Sequence, residues 1–123
     1  MASTTDPTRR RPETGMASVL DAAAISRLPW QRLHGHHDAE TRVLWQHGRS
    51  LAGILKIAPG EELAEHAHPE AHHHVWVLAG DATILGVRVT AGSYVHIPAG
   101  MAHAVEQVGA DGLTMLYLYE TVD

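Results

Sequence analysis

The sequence predicts an all-β protein of one domain, a sandwich or barrel, and three observations carry that prediction. The chain has 123 residues of which 45% are hydrophobic, which suits one ordinary hydrophobic core. After residue 30, Gly and Pro recur at short intervals between runs of Val, Ile, Leu and Tyr, the punctuation of strands and turns. Helix formers are not concentrated anywhere in that stretch.

In order along the chain, residues 1–15 (MASTTDPTRRRPETG) are rich in Thr, Pro and Arg and nearly devoid of apolar side chains, the composition of a disordered tail. Residues 16–29 form a lead-in segment, read either as one short helix or as irregular chain. The β-domain is expected over 30–123. Its strands fall at 42–46, at 51–58 ending in Pro59-Gly60, and at 72–79 ending in Gly80-Asp81. Others follow at 83–89, 94–98, 102–108 and 113–120, and each is bounded by turn residues. With an extended run through His66 and His68, about eight short strands result, matching a double-sheet jelly roll or related small barrel with room for a ligand between its sheets.

The charge balance excludes several classes. A net charge of −5 with nine Lys and Arg does not suit a polyanion such as nucleic acid, whose binding needs clustered cations. The one basic cluster, Arg9, Arg10 and Arg11, sits in the tail. No stretch approaches the roughly 20 apolar residues of a membrane span. The start lacks the apolar core of a signal peptide, so a soluble cytoplasmic protein is expected. Cysteine is absent, which removes disulfides and thiolate ligands together.

Eleven histidines in so short a chain, spread internally and not gathered in a terminal tag, call for local chemistry. His34, His36, His37, His47 and His96 read as ordinary core or surface groups. The stretch GEELAEHAHPEAHHHVWVLAG over 60–80 is different. In extended chain His66 and His68 point to one face, so two imidazoles converge. A third ligand comes from the strand that begins at His72, and parity decides which. If Val75 and Val77 face inward, His73 goes with them; the opposite parity brings in His72 or His74 and buries Trp76. A further ligand, His103, ends the stretch GSYVHIPAGMAH over 92–103, where Pro98 and Gly100 build a tight turn. Val105 and Gln107 share its face. Glu65 and Glu70 read as solvated loop residues.

These two stretches resemble the paired motifs of the cupins. The first motif runs Gly, five residues, His, one, His, three or four, Glu, six, Gly; here Gly60, His66, His68, position 73 and Gly80 meet it. The second runs Gly, five, Pro, one, Gly, two, His, three, Asn, and is met by Gly92, Pro98, Gly100 and His103. His73 replaces the glutamate, which favours it over His72, and Gln107 replaces the asparagine. The chain from Trp30 to Tyr119 is similar to cupins akin to the C-terminal domain of the ChrR anti-sigma factors.

That resemblance implies a cupin double-stranded β-helix, one divalent transition metal per chain, and a homodimer. His66, His68, His73 and His103 are its expected ligands. Neutral imidazoles suit Fe, Zn, Ni and Cu better than the oxygen-seeking metals, so Fe or Zn is expected first, with Ni, Cu and Mn behind. Four neutral ligands leave the metal's charge uncompensated and favour an anionic partner. Gln107, Tyr94, Tyr117 and Tyr119 are the polar residues expected around the site. No nucleophile pair or carboxylate pair with convincing spacing is visible. The leading expectation is a small oxygenase, of dioxygenase type, acting on an anionic or enolisable small molecule. The alternative is a non-catalytic metal or ligand sensor of ChrR type, whose sigma-gripping helical domain residues 1–29 are too few to supply.

Overall fold

The computed structural model describes residues 17–33 and 39–122. The tail over 1–15 and three of the histidines, His34, His36 and His37, lie outside the described residues. In the lead-in, α1 (Ala22–Ser26) is capped by Asp21, whose carboxylate accepts the Ala24 N–H at 2.8 Å. None of its residues is buried, so this single turn is held by its cap and not by a packed face. No helix among the described residues is long and apolar enough to cross a membrane.

Among the described residues nine strands follow: β1 (Gln31–Arg32), β2 (Ala39–His47), β3 (Ser50–Ile57), β4 (Leu63–His66), β5 (Ala71–Ile84), β6 (Val87–Thr90), β7 (Tyr94–Ile97), β8 (His103–Glu106) and β9 (Leu113–Thr121). Every pairing among the described residues is antiparallel. One layer runs β1-β2-β3-β9-β5-β7, and the other is built from β4, β8, the end of β5 and β6. Their inner faces enclose the core, with Leu55, Ile57, Val75, Val77 and Met115 from the first layer meeting Leu63, Ala82, Ile84, Val89 and Val105 from the second. Alternation along β5 buries Ala71, His73, Val75 and Val77 and leaves Trp76 and Leu78 exposed.

The strand β5 belongs to both layers, and here the structure departs from the sequence expectation. Gly80-Asp81 does not end a strand. A bulge between Val77 and Ala79 and a positive φ of 83° at Gly80 bend the chain from one sheet into the other. A Cβ at Gly80 would lie 1.9 Å from the Gly112 carbonyl oxygen, so the bend requires glycine. The turn comes later, at Leu85 and Gly86, both with positive φ. The expected strand 83–89 is therefore the end of β5 plus β6. Leu85 is an unusual residue for such a turn, which is why the sequence did not announce it.

Candidate metal centre

Four histidines converge at one end of the space between the sheets, each delivered by a different backbone device. His66 ends β4 and lies directly opposite His103 on β8. Between Leu63 and His66 the pairing shifts by a bulge, in which Ala64 and Glu65 on β4 face the single residue Ala104 on β8, so both Leu63 and His66 reach the interior side. His68 follows two residues later, beyond the strand. His73 enters from β5 on the face of Val75 and Val77, opposite Tyr119 on β9.

The ring centroids stand 5.0 Å apart for His66 and His68, 4.4 Å for His66 and His103, and 5.3 Å for His68 and His103. His73 lies 5.1 Å from His68 and 5.4 Å from His103. Imidazoles bound to one tetrahedral metal at the usual metal–nitrogen length have centroids about 5.2 Å apart. Ligating nitrogens of His66, His68 and His103 lie within 4.8 Å of one another, with His73 outside that grouping.

The hydrogen bonds prepare these rings for a cation. His66 Nδ1 is 2.7 Å from the Ala64 carbonyl oxygen and His103 Nδ1 is 3.1 Å from that of Met101. A carbonyl only accepts, so Nδ1 carries the proton in both rings and Nε2 keeps its lone pair. His68 Nε2, His73 Nδ1 and His103 Nε2 are buried without any hydrogen-bond partner, a cost that a ligand would remove. These residues therefore fit a divalent transition metal.

Electrostatics point the same way. Burial pushes the His73 pKa down to about 3, helped by the neighbouring charges of His68, His103, His66 and His74. Burial and then His66 and His103 push His68 down to about 4. His103 is also lowered, chiefly by burial, against the pull of the Met101 carbonyl. All three are neutral at pH 7, the form that ligates a metal.

Beside the rings is a cavity of about 250 Å3. Its other wall is apolar, made by Leu33, Leu55, Leu63, Val105 and Met115. Tyr117 and Tyr119 line it too. The Tyr119 ring packs 4.6 Å from His73 and 4.7 Å from His68, and burial raises its pKa well above the usual phenol value. The Tyr117 hydroxyl is 2.7 Å from Thr41 Oγ1 in a buried contact.

Of the polar residues expected around the site, Tyr117 and Tyr119 are brought to it and Tyr94 and Gln107 are not. Tyr94 is on the outer face of β7, where its hydroxyl meets His74 Nδ1 at 2.7 Å. Gln107 lies past the end of β8 with φ of 53°. It is exposed, and its side-chain oxygen accepts from Thr83 Oγ1 at 3.0 Å. The left-handed backbone breaks the alternation that would have kept it on the face of His103. His72 and His74 also face outward: His72 Nδ1 accepts the Ala99 N–H at 3.1 Å, and His74 Nε2 is 3.2 Å from Glu120. Glu65 and Glu70 are exposed, and Glu70 pairs with Arg49. Met115 shares the face of Tyr117 and Tyr119 by strand alternation and lines the cavity with them, whereas Thr41 and Leu33 had no distinguishing sequence signal.

Comparison with known proteins agrees with this fold. The sequence profile of the ChrR cupin-like domain matches residues 19–122. Among curated proteins none matches. The fold is similar to that of a predicted oxalate decarboxylase from Thermotoga maritima, with 20% identity and a TM-score of 0.72 over 85% of this chain and 100% of that one. It is also similar to KdgF from Halomonas sp., at 17% identity and a TM-score of 0.65 over 80% and 93% of the two chains. A chain from the complex of Rhodobacter sphaeroides SigE with the anti-sigma ChrR matches at 20% identity and a TM-score of 0.66, over 78% of this chain and 51% of its own length. With its fold, its histidine cluster and a profile match spanning nearly all of it, the chain belongs to the ChrR cupin-like family of cupins.

Proposed function

We propose that this protein is a small metal-dependent oxygenase of dioxygenase type, acting on an anionic or enolisable small molecule. The observation that carries the reading is a set of neutral histidines with unpartnered buried nitrogens opening onto a cavity of about 250 Å3. His66, His68 and His103 would hold the metal, with His73 as the fourth ligand and Fe or Zn the favoured ions. Bound there, the metal supplies Lewis acidity toward a substrate oxygen and, if redox-active, a route to dioxygen.

The chain's own residues do the rest. The apolar wall of Leu55, Leu63 and Met115 excludes water and strengthens polar interactions at the rings. Tyr119 keeps its phenolic proton through the physiological range, so its hydroxyl is a donor available to a substrate oxygen. The Tyr117 hydroxyl is engaged with Thr41 and fixes one side of the cavity. Purified protein loaded with Fe(II) should consume dioxygen with a β-diketone, a hydroxyketone or a catechol-like compound. No consumption with any of these refutes the oxygenase reading.

Membership of the ChrR cupin-like family favours a second reading, a non-catalytic metal or ligand sensor. Recovery of a sigma factor in a pull-down with the full chain would select it. His73→Glu separates both readings from a purely structural metal: a structural site tolerates the change, whereas an oxygenase changes its metal preference and rate. Homodimer formation belongs to the proposal and is read by sedimentation; the exposed Trp76, Leu78 and Tyr94 on the outer sheet face support it.

A further inference from the structure

His68 and Tyr119 line two neighbouring cavities. The first is the histidine cavity; the second, of about 210 Å3, is lined by Arg49, Pro69, Glu70, Ala71 and Thr121 as well as that shared pair. Among the described residues the two linings together contain one Lys or Arg, Arg49, and one acid, Glu70. Arg49 and Glu70 bind each other, yet their side chains are 72% and 63% exposed, so solvent screens the pair and it is readily exchanged.

We propose that the second cavity is a carboxylate subsite: Arg49 takes the carboxylate of a small ligand whose apolar body lies in the histidine cavity, and Glu70 occupies the guanidinium until that ligand arrives. The inference rests on the histidine cavity being a ligand site. A guanidinium presents a planar fork that a ligand carboxylate meets as well as a glutamate does, so the exchange conserves the interaction. The frame around it is fixed. Arg49 follows Gly48, at φ of 60°, in the turn between β2 and β3. The Glu70 carbonyl accepts the Val122 N–H at 3.0 Å, and Ser50 Oγ lies 3.0 Å from Thr121 Oγ1. Only two exposed side chains have to swing.

The linings also bound the ligand. The histidine cavity, at about 250 Å3, is smaller than pockets for drug-sized molecules, roughly 300–1,000 Å3. Leu55 and Met115 on one wall and imidazoles on the other suit a body the size of a phenyl ring or a short alkyl chain. The class is therefore a small amphipathic monocarboxylate.

The test is a fluorine NMR titration of the full chain, metal-free and zinc-loaded, with 4-fluorobenzoate and its neutral counterpart 4-fluorobenzyl alcohol. Wild type should prefer the acid by about tenfold, as a charge-assisted contact requires. Arg49→Gln should abolish that preference while leaving the alcohol unchanged, and Glu70→Gln should tighten the acid several-fold by freeing the guanidinium. Both residues are exposed, so thermal unfolding of the variants should match wild type. The proposal is overturned by equal binding of acid and alcohol, by an unchanged preference in Arg49→Gln, or by weaker acid binding in Glu70→Gln. It is equally overturned by no saturable binding up to about 10 mM, beyond the range expected for so small a ligand. Dioxygen consumption is measured apart from this titration, so the subsite and the oxygenase reading fail separately.

Discussion

Acidifying the metal-free protein tests whether the histidine cluster is as costly to charge as its packing implies. In the folded state His73 and His68 have pKa values of about 3 and about 4, against the ordinary 6.5. Below pH 6.5 the unfolded chain therefore binds more protons than the folded one. Stability is complete above that value and falls as pH drops through the window from 6.5 toward 3 to 4. Each such group contributes up to about 1.4 kcal/mol per pH unit, so His73 alone removes roughly 2–3 kcal/mol between pH 6.5 and 4.5. His68 is only partly buried, and discounting for solvent screening leaves about 1 kcal/mol from it. The sum, about 3–4 kcal/mol, is a large part of an ordinary domain's 5–15 kcal/mol. With a urea dependence near 1.5 kcal/mol/M, the midpoint followed by tryptophan fluorescence should drop by about 2 M from pH 7.5 to 4.5. His73→Leu should flatten most of that dependence. An unchanged midpoint in wild type, or an equal drop in His73→Leu, would refute the reasoning.

Three further outcomes follow from the same contacts. Tyr117→Phe and Thr41→Val should each lose about 1–2 kcal/mol by orphaning the other hydroxyl of the 2.7 Å contact, and the double variant should lose clearly less than their sum in a denaturant cycle. Gly53→Ala places a Cβ 2.6 Å from the Tyr117 hydroxyl oxygen and 2.7 Å from the Arg42 carbonyl oxygen; a loss of about 2–3 kcal/mol is expected from such overpacking, read as a lowered melting temperature. Zinc at a hundredfold excess over its Kd should add about 2.7 kcal/mol and raise the melting temperature by roughly 10 °C for a domain of this size, reversibly with a chelator.

Much of this was legible in the sequence, for identifiable reasons. Strands separated by Gly and Pro announce themselves because turns restrict residue choice, and the histidines of the two motifs sit at spacings set by strand and turn geometry. Alternation left two parities open on this strand and the motif spacing favoured His73; in the structure His73 lies on the buried face with Val75 and Val77, while His72 and His74 face outward. What escaped depends on local breaks of alternation or on long-range contact. The bend at Gly80 looked like a turn because glycine serves both purposes. Gln107 was placed on the face of His103 by counting in twos, and a left-handed residue after β8 turned it away. Thr41 and Tyr117 are 76 residues apart, and Arg49 meets Glu70 across 21. No local pattern encodes either pairing.

Whether the protein's imidazoles alone hold a metal is read by elemental analysis combined with X-ray absorption on the purified chain. One divalent transition metal per chain is expected, with nitrogen donors at about 2.0–2.2 Å and loss of the metal in His103→Ala. A first shell of oxygen donors from protein carboxylates, or full metal content retained in that variant, would contradict it.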